Sequence, residues 1–332
     1  MVDTLYIERS VLENPITDKI LRHYRRSRHV YIERYGELFN IKGQNFRLQK
    51  KNPALILAKK HGKKIISTPI KYETGGDQNF YFSHMLNCIY DCRYCFLQGM
   101  YRSANYLLFV NFEDFAEDLR KHVAESLATN PWYFSGYDCD SLAFEPVTGF
   151  ADYFLDVFSE KNMSKATLEL RTKSTQIRSL LKRSAMENVV VAFSLNPDEV
   201  ISSVEAGTPN LAKRIFAIQQ LQNSGWKVGL RFDPVIWHDE FEQTYQKFFN
   251  EIFSKIDTNK IDSVTLGGVR LPKDFHKIMS NLYPEHWLFK AGMVQDETGM
   301  VSYRKEINQQ ILDYCQQQIS RFFCSEKIYI YQ

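Results

Sequence analysis

From about residue 76 the apolar positions alternate between two periods. Short β-branched or aromatic runs near 80–83, 107–110, 132–136, 166–171, 189–194, 227–232 and 261–267 predict strands. Between most of them lie stretches that predict helices: Glu113–Leu127, Val147–Ser159, Gln176–Ser184, Leu211–Asn223, Glu240–Ile256 and Lys273–Leu282. In one of these, Leu211, Ile215, Ile218 and Leu221 recur at three- and four-residue steps, which gathers them on one stripe. Strand–helix alternation of this kind predicts an α/β chain with a parallel sheet, open or closed as a barrel. Residues 1 to about 75 lack clear periodicity and end at the turn signal Thr74-Gly75-Gly76. Residues 299–332 read as a polar turn region, a helix and a short Ile-Tyr-Ile strand. Three parts are expected: a basic segment at 1–75 packed on the barrel, the βα barrel at 76–298, and a hairpin, helix and strand at 299–332.

Bulk properties exclude several classes. No apolar run approaches the ~20 residues of a membrane span, and the first residues lack the basic-then-apolar pattern of a signal peptide. Six cysteines in 332 residues do not suit a disulfide framework. A cytoplasmic protein without a membrane partner, and a monomer, is expected. The net charge of +3 hides an asymmetry. Residues 1–72 carry 16 Lys and Arg against 6 Asp and Glu, a net of +10, while the rest carries −7. Arg22, Arg25, Arg26 and Arg28, interleaved with Tyr24, Tyr31 and Tyr35, suit a nucleic-acid backbone, with arginines on phosphates and aromatics for stacking. A second cluster is Lys59, Lys60, Lys63 and Lys64. The competing reading of both is a solvated face.

The candidate chemistry is concentrated in Asn-Cys-Ile-Tyr-Asp-Cys-Arg-Tyr-Cys-Phe-Leu-Gln, residues 87–98, where Cys88, Cys92 and Cys95 have Cys-x3-Cys-x2-Cys spacing. A four-iron cluster normally takes four thiolates; three leave one iron open for a small molecule. Zinc would need a second cysteine pair or spaced histidines. Cys139 stands alone, Cys315 and Cys324 are far apart, and the eight histidines are scattered. The loop, with an aromatic just before its last cysteine, resembles the radical S-adenosylmethionine superfamily. There the open iron chelates S-adenosylmethionine, and one-electron reduction releases a 5′-deoxyadenosyl radical.

Predicted strand ends carry further polar groups: Asp138-Cys139-Asp140-Ser141, Arg171-Thr172-Lys173, Ser194-Leu195-Asn196, Arg231-Phe232-Asp233 and Gly267-Gly268. Active sites of βα barrels are built at such ends, so one shared polar mouth is expected. Cys139 lies between two aspartates, which disfavour its thiolate. A protonated thiol is a poor nucleophile but an effective hydrogen-atom donor, whereas most lone cysteines are small core residues.

With Cys139 added to the loop, the chain resembles the spore photoproduct lyase family of DNA repair enzymes over almost its whole length. The matching residues include Tyr6-Ile7-Glu8, Cys88–Gln98, Val110-Asn111, Cys139 with Ser141, Thr172-Lys173, Phe193–Asn196, Glu205–Thr208 and Lys213-Arg214. The resemblance implies a partial (βα)6-type radical S-adenosylmethionine barrel with a [4Fe-4S] cluster on Cys88, Cys92 and Cys95. It implies cofactor contacts from Lys173, Ser194, Ser141 and Asn196, and a hydrogen from Cys139 to a thymine radical in a cross-linked thymine pair. DNA carrying a pyrimidine lesion and an external one-electron reductant are the implied partners. Two positions depart from the family pattern. Tyrosines on both sides of the third cysteine help return hydrogen to the cofactor; here Tyr94 is present but Phe96 is not a tyrosine. The lesion-wedging hairpin is matched loosely by Gly299–Lys305, which puts Tyr303, Arg304 and Lys305 toward DNA, although Tyr303 and Trp287 read more simply as packing residues. The alternatives are a radical enzyme acting on RNA, peptide or a small molecule, and a metal-stabilised nucleic-acid-binding module.

Overall fold

Two sheets organise the chain in the computed structural model, which describes residues 2–69, 74–290 and 292–331. The larger sheet sets parallel strands side by side in chain order: Gln78–Phe82, Pro131–Ser135, Thr167–Thr172, Val189–Ser194, Lys227–Val235, Ile261–Gly268 and Ile328–Tyr331. The two-residue strand Ile66–Ser67 caps its outer edge antiparallel. Among the described residues the two edge strands do not pair, so the sheet is the expected partial barrel and not a closed one.

The expected strand at 107–110 forms, but elsewhere. Tyr106–Phe109 joins the smaller sheet, whose order is Arg28–Ile32, Thr4–Glu8, Leu55–Ala58, Tyr106–Phe109 and Met85–Leu86. All its pairs are parallel except the last. This sheet runs across the boundary expected near residue 75. Its central strands Leu55–Ala58 and Tyr106–Phe109 are short and buried throughout, giving continuous apolar runs with no visible period. Buried Glu8 ties the sheet together: it accepts the backbone N–H groups of Tyr35 (2.7 Å) and Lys59 (3.0 Å).

The helices form largely where expected, because each buries an apolar stripe on the outside of the barrel. Leu211–Asn223 buries Leu211, Ile215, Ile218 and Leu221, and the Asn210 side chain caps its start. Phe241–Lys255 buries Phe241, Tyr245, Phe248, Phe249 and Ile252. Two expectations are corrected. Gly149, at φ +67°, breaks the helix expected at 147–159 into Glu145–Thr148 and Phe150–Phe158; the Glu145 carboxylate then accepts the N–H groups of Ala151 and Asp152. The helix expected at 176–184 shrinks to Arg178–Leu181. At the end of the chain Met300–Ser302 pairs with both Arg270–Pro272 and Val294–Gln295, followed by the helix Lys305–Ser320. No helix among the described residues is long and apolar enough to cross a membrane.

Candidate active site

Inside the barrel, polar groups lie beside a small apolar cluster of Trp132, Phe134 and Val190. Glu169 lies at the centre of the barrel and is fully buried. It accepts from Arg231 at 2.8 and 3.1 Å, from Arg171 at 3.0 Å and from the Trp132 indole at 3.2 Å. Burial opposes its charge, but Arg231 and Arg171 hold its carboxyl down at about 2. Arg231, expected at the mouth, is therefore part of this floor.

Above the floor, at the carboxyl ends of the strands, is a cavity of about 510 Å³, within the range of cofactor sites. Cys88, Cys92 and Cys95 lie on its wall with Tyr94, Cys139, Asp140, Lys173 and Ser194. Asp233 and Arg270 close the far side through two hydrogen bonds of 2.9 and 3.0 Å. The expected shared mouth exists, contributed by separate strands and loops.

The cysteine loop has little regular structure of its own, so its shape is imposed from outside. Asp91–Cys92 pairs antiparallel with Glu205–Ala206, and the Arg93 N–H donates to the Val204 carbonyl at 2.7 Å. Gln98 donates to the Cys92 carbonyl at 2.6 Å. Glu205, fully buried, accepts from the Tyr94 hydroxyl, from Asn196 (3.0 Å) and from Arg214. Arg214, also fully buried, donates onward to the Ser194 carbonyl at 2.9 Å and the Thr208 hydroxyl at 2.7 Å. Burial opposes the Glu205 charge, yet Arg214 and then Lys173 hold its carboxyl below the usual range. One buried ion pair thus fixes the loop against two walls of the cavity.

The thiols are poised for a metal group. Burial pushes Cys88 up to about 12 and also raises Cys92 and Cys95, so none ionises without an electrophile. Among the described residues, no three His, Cys, Asp or Glu side chains converge tightly enough to hold one ion. Three thiols of one loop lining one cavity wall are a donor set that suits an iron–sulfur cluster. Lys173 keeps its charge beside them. Burial works against its ammonium, but the Glu205 carboxylate helps hold its pKa above the ordinary value.

Cys139 lines the same cavity in a different setting. Gly136, at φ +76°, lets the chain turn sharply after Pro131–Ser135; a β-carbon there would meet the Ser141 hydroxyl oxygen at 2.5 Å. The Asp140 carboxylate then accepts the N–H groups of Leu142 (3.0 Å), Ala143 (2.9 Å) and Lys173 (2.7 Å) and the Thr172 hydroxyl (2.6 Å). Burial, then Cys88, Asp138 and Asp140, raises Cys139 well above an ordinary thiol, so it keeps its hydrogen. Its sulfur is 3.9 Å from Nδ1 of His84, a ring kept neutral by burial, which pushes its pKa down to about 3. That ring stacks on Phe150 at 3.5 Å between centroids.

Some assigned residues fall elsewhere. Ser141 bonds Ser135 behind the wall (2.8 Å), and Asn196 bonds Glu205 and Tyr245; both are buried and neither lines the cavity. Their hydrogen bonds support the wall from behind. Tyr303 is 1% exposed and its hydroxyl accepts the Trp237 N–H (3.1 Å), so it is a packing residue and not a wedge. Arg304 and Lys305 are exposed at the start of the last helix. Arg25, Arg26 and Arg28 are exposed together after the helix Pro15–His23, whereas Arg22 pairs with Asp18 one turn back at 2.5 Å. The second basic cluster is largely spent on structure. Lys59 and Lys64 pair with Asp114 and Asp118, and Lys60 lies 5.0 Å above the Phe109 ring. Sequence reasoning missed His84 and gave Glu205 and Arg214 no role. Pairing between distant positions leaves no local signal, although both of the latter fall in the series shared with the family.

Known proteins of similar sequence and fold agree on one family. The sequence model of the spore photoproduct lyase family matches residues 1–331. The spore photoproduct lyase of Bacillus subtilis (strain 168) is 22% identical over 340 residues, covering 98% of this chain and 96% of its own. That of Geobacillus sp. (strain Y412MC61) is 22% identical over 255 residues, 73% of each chain. Among solved structures, a spore photoproduct lyase mutant with bound AdoMet and dinucleoside spore photoproduct superposes with a TM-score of 0.85 at 18% identity, covering 100% of this chain and 98% of that one. A spore photoproduct lyase complexed with dinucleoside spore photoproduct gives 0.84 at 19% identity over the same shares.

Proposed function

Because this chain belongs to the spore photoproduct lyase family, we propose that it is a radical S-adenosylmethionine lyase that restores two thymines from spore photoproduct in DNA. The observation that carries this reading is the single cavity lined by the three cysteines of one loop, a charged lysine and a protonated thiol. In it, Cys88, Cys92 and Cys95 hold the [4Fe-4S] cluster, and Lys173 and Ser194 bind S-adenosylmethionine. When bound, the pair supplies a 5′-deoxyadenosyl radical that takes a hydrogen atom from the lesion.

The chain's own residues do the rest. Lys173 offers an ammonium to the cofactor's carboxylate. Tyr94, whose hydroxyl is held by Glu205, keeps a phenolic hydrogen beside the cysteines. Burial and Glu205 raise its pKa well above the usual value, so it stays protonated. Cys139 gives its hydrogen atom to the thymine radical left when the joining bond breaks. The sulfur radical formed must recover a hydrogen before the next turnover. Its apolar surroundings shield it meanwhile.

The DNA partner is met by Arg25, Arg26 and Arg28, which touch phosphates, with Arg304 and Lys305 as further contacts. A distorted dinucleotide leaves the base stack more cheaply than a normal one, which favours the lesion. An external one-electron reductant drives the cycle. We place this activity in the cytoplasm, with the enzyme acting as a monomer.

The test is anaerobic, in darkness, with reconstituted protein, dithionite, S-adenosylmethionine and DNA carrying spore photoproduct. Recovery of two thymines is expected. Cys139→Ala is expected to keep its iron and still cleave S-adenosylmethionine, but to divert the thymine radical to other products. Cofactor cleavage with every dithymine lesion left intact would overturn the reading.

A further inference from the structure

The cluster loop is covered on one side by the short helix Phe46–Lys51, which the chemistry above does not use. Three of its residues face inward at helical spacing. Phe46 is buried, Gln49 accepts the Ala104 N–H (2.8 Å), and Lys50 donates to the Tyr90 carbonyl at 3.4 Å. Lys50 also pairs with Asp91 at 3.7 Å. The Tyr90 N–H in turn donates to the Cys88 sulfur at 3.4 Å. Only two hydrogen-bonded steps therefore separate this helix from a cluster ligand.

Its other face is open. Arg47 and Lys51 are exposed on either side of Leu48, an apolar side chain 56% exposed. Lys50, Lys59 and Lys64 of this basic stretch are paired with Asp91, Asp114 and Asp118, whereas among the described residues Arg47 and Lys51 form no salt bridge. An apolar centre with a cationic rim is the form of a small, transient protein interface. We infer that this face, centred on Leu48 with Arg47 and Lys51, docks an acidic one-electron carrier protein that delivers the electron to the cluster. The inference rests on the radical reading above, which requires one electron from outside. Charge complementarity selects the partner: opposite surface charge steers a weak redox encounter and falls away with salt. The position of the face, over the cysteine loop, favours a redox carrier over nucleic acid. One electron passes from the reduced carrier to the oxidised cluster, with no proton or bond exchanged.

The variant Arg47→Glu/Lys51→Glu tests this without touching Lys50 or any cavity residue. Iron and sulfide content serve as the check on folding. S-adenosylmethionine cleavage is measured with two reductants: excess dithionite, and a small acidic FMN-carrier protein, pre-reduced, at low ionic strength. The carrier-driven rate at limiting carrier is expected to fall on the order of tenfold, while the dithionite-driven rate and lesion-DNA affinity stay unchanged. An unchanged carrier-driven rate would overturn the inference. A parallel loss of DNA affinity and of dithionite-driven repair would assign the face to nucleic acid and also overturn it. Failure of the wild-type protein to cleave the cofactor even with dithionite would be a failure of the radical reading itself.

Discussion

Removing the guanidinium of Arg214 puts the buried ion pair to the sharpest test. In Arg214→Met the side-chain volume is roughly kept, but Glu205 is left with no arginine while remaining fully buried. Stranding a buried charge costs about 3–5 kcal/mol. The same change frees the Ser194 and Pro209 carbonyls, each worth on the order of 1 kcal/mol. These losses overlap, since the protein will relax, so about 4 kcal/mol is expected. It would be read from urea unfolding of the cluster-free protein, which keeps cluster binding out of the measurement. The double variant Arg214→Met/Glu205→Gln should recover at least half, because the stranded carboxylate is gone and only the weaker tie to Lys173 is lost. The pH dependence carries a sign as well. With Arg214 present, Glu205 is held below its unfolded value, so its stabilisation is complete above ~4.3 and is lost as pH falls through the folded value. In the single variant burial acts with less opposition and raises the folded value, so stability should fall as pH rises from ~4.3. A single-variant loss below about 1 kcal/mol, or a double variant no better than the single, would refute the assignment of the loop's rigidity to this pair.

Gly136→Ala forces an L-residue into left-handed backbone, about 1–2 kcal/mol, and drives its β-carbon into Ser141; repair should collapse while iron content holds, measured on one preparation. Neutralising Arg25, Arg26 and Arg28 together should weaken binding to all DNA sequences and reduce the salt slope by up to about 2.7. A titration across salt would expose an unaltered slope if these side chains are merely solvated. Phe96→Tyr restores a phenol on the cavity wall next to Cys95; S-adenosylmethionine consumed per lesion repaired should drop, and an unchanged ratio would mean that hydrogen return does not pass this position.

The sequence made the cluster loop legible because its three ligands lie within eight residues of one another. The barrel was legible because each strand and helix carries its own period. Tyr106–Phe109 shows the limit: its apolar run announces a strand, but only tertiary pairing with Leu55–Ala58 decides the sheet. Glu145 and Gly149 show another, since a helix pattern can run on across a break that a left-handed glycine makes. The second basic cluster looked like the first by composition. What separated them was the acidic face of Phe112–Glu125, more than fifty residues away, which meets Lys59 and Lys64. Ser141 and Asn196 were placed within a few residues of the cavity, but both lie in loops, where hydrogen bonds to Ser135 and to Glu205 and Tyr245 hold them off its wall.

Cys139 packs with Leu5, Ile7, Leu57, Leu108 and Val147, the core of the smaller sheet, whereas Cys92 and Tyr94 belong to the barrel core. Ile89, next to Cys88, packs against that same smaller-sheet core, so the cluster loop is tied to both bodies of packing and the quenching thiol to one. A conservative change at Ile7 or Leu57, remote from every ligand, is therefore expected to disturb the thiol more than the loop, and to show first as a change in product and only then as a change in rate.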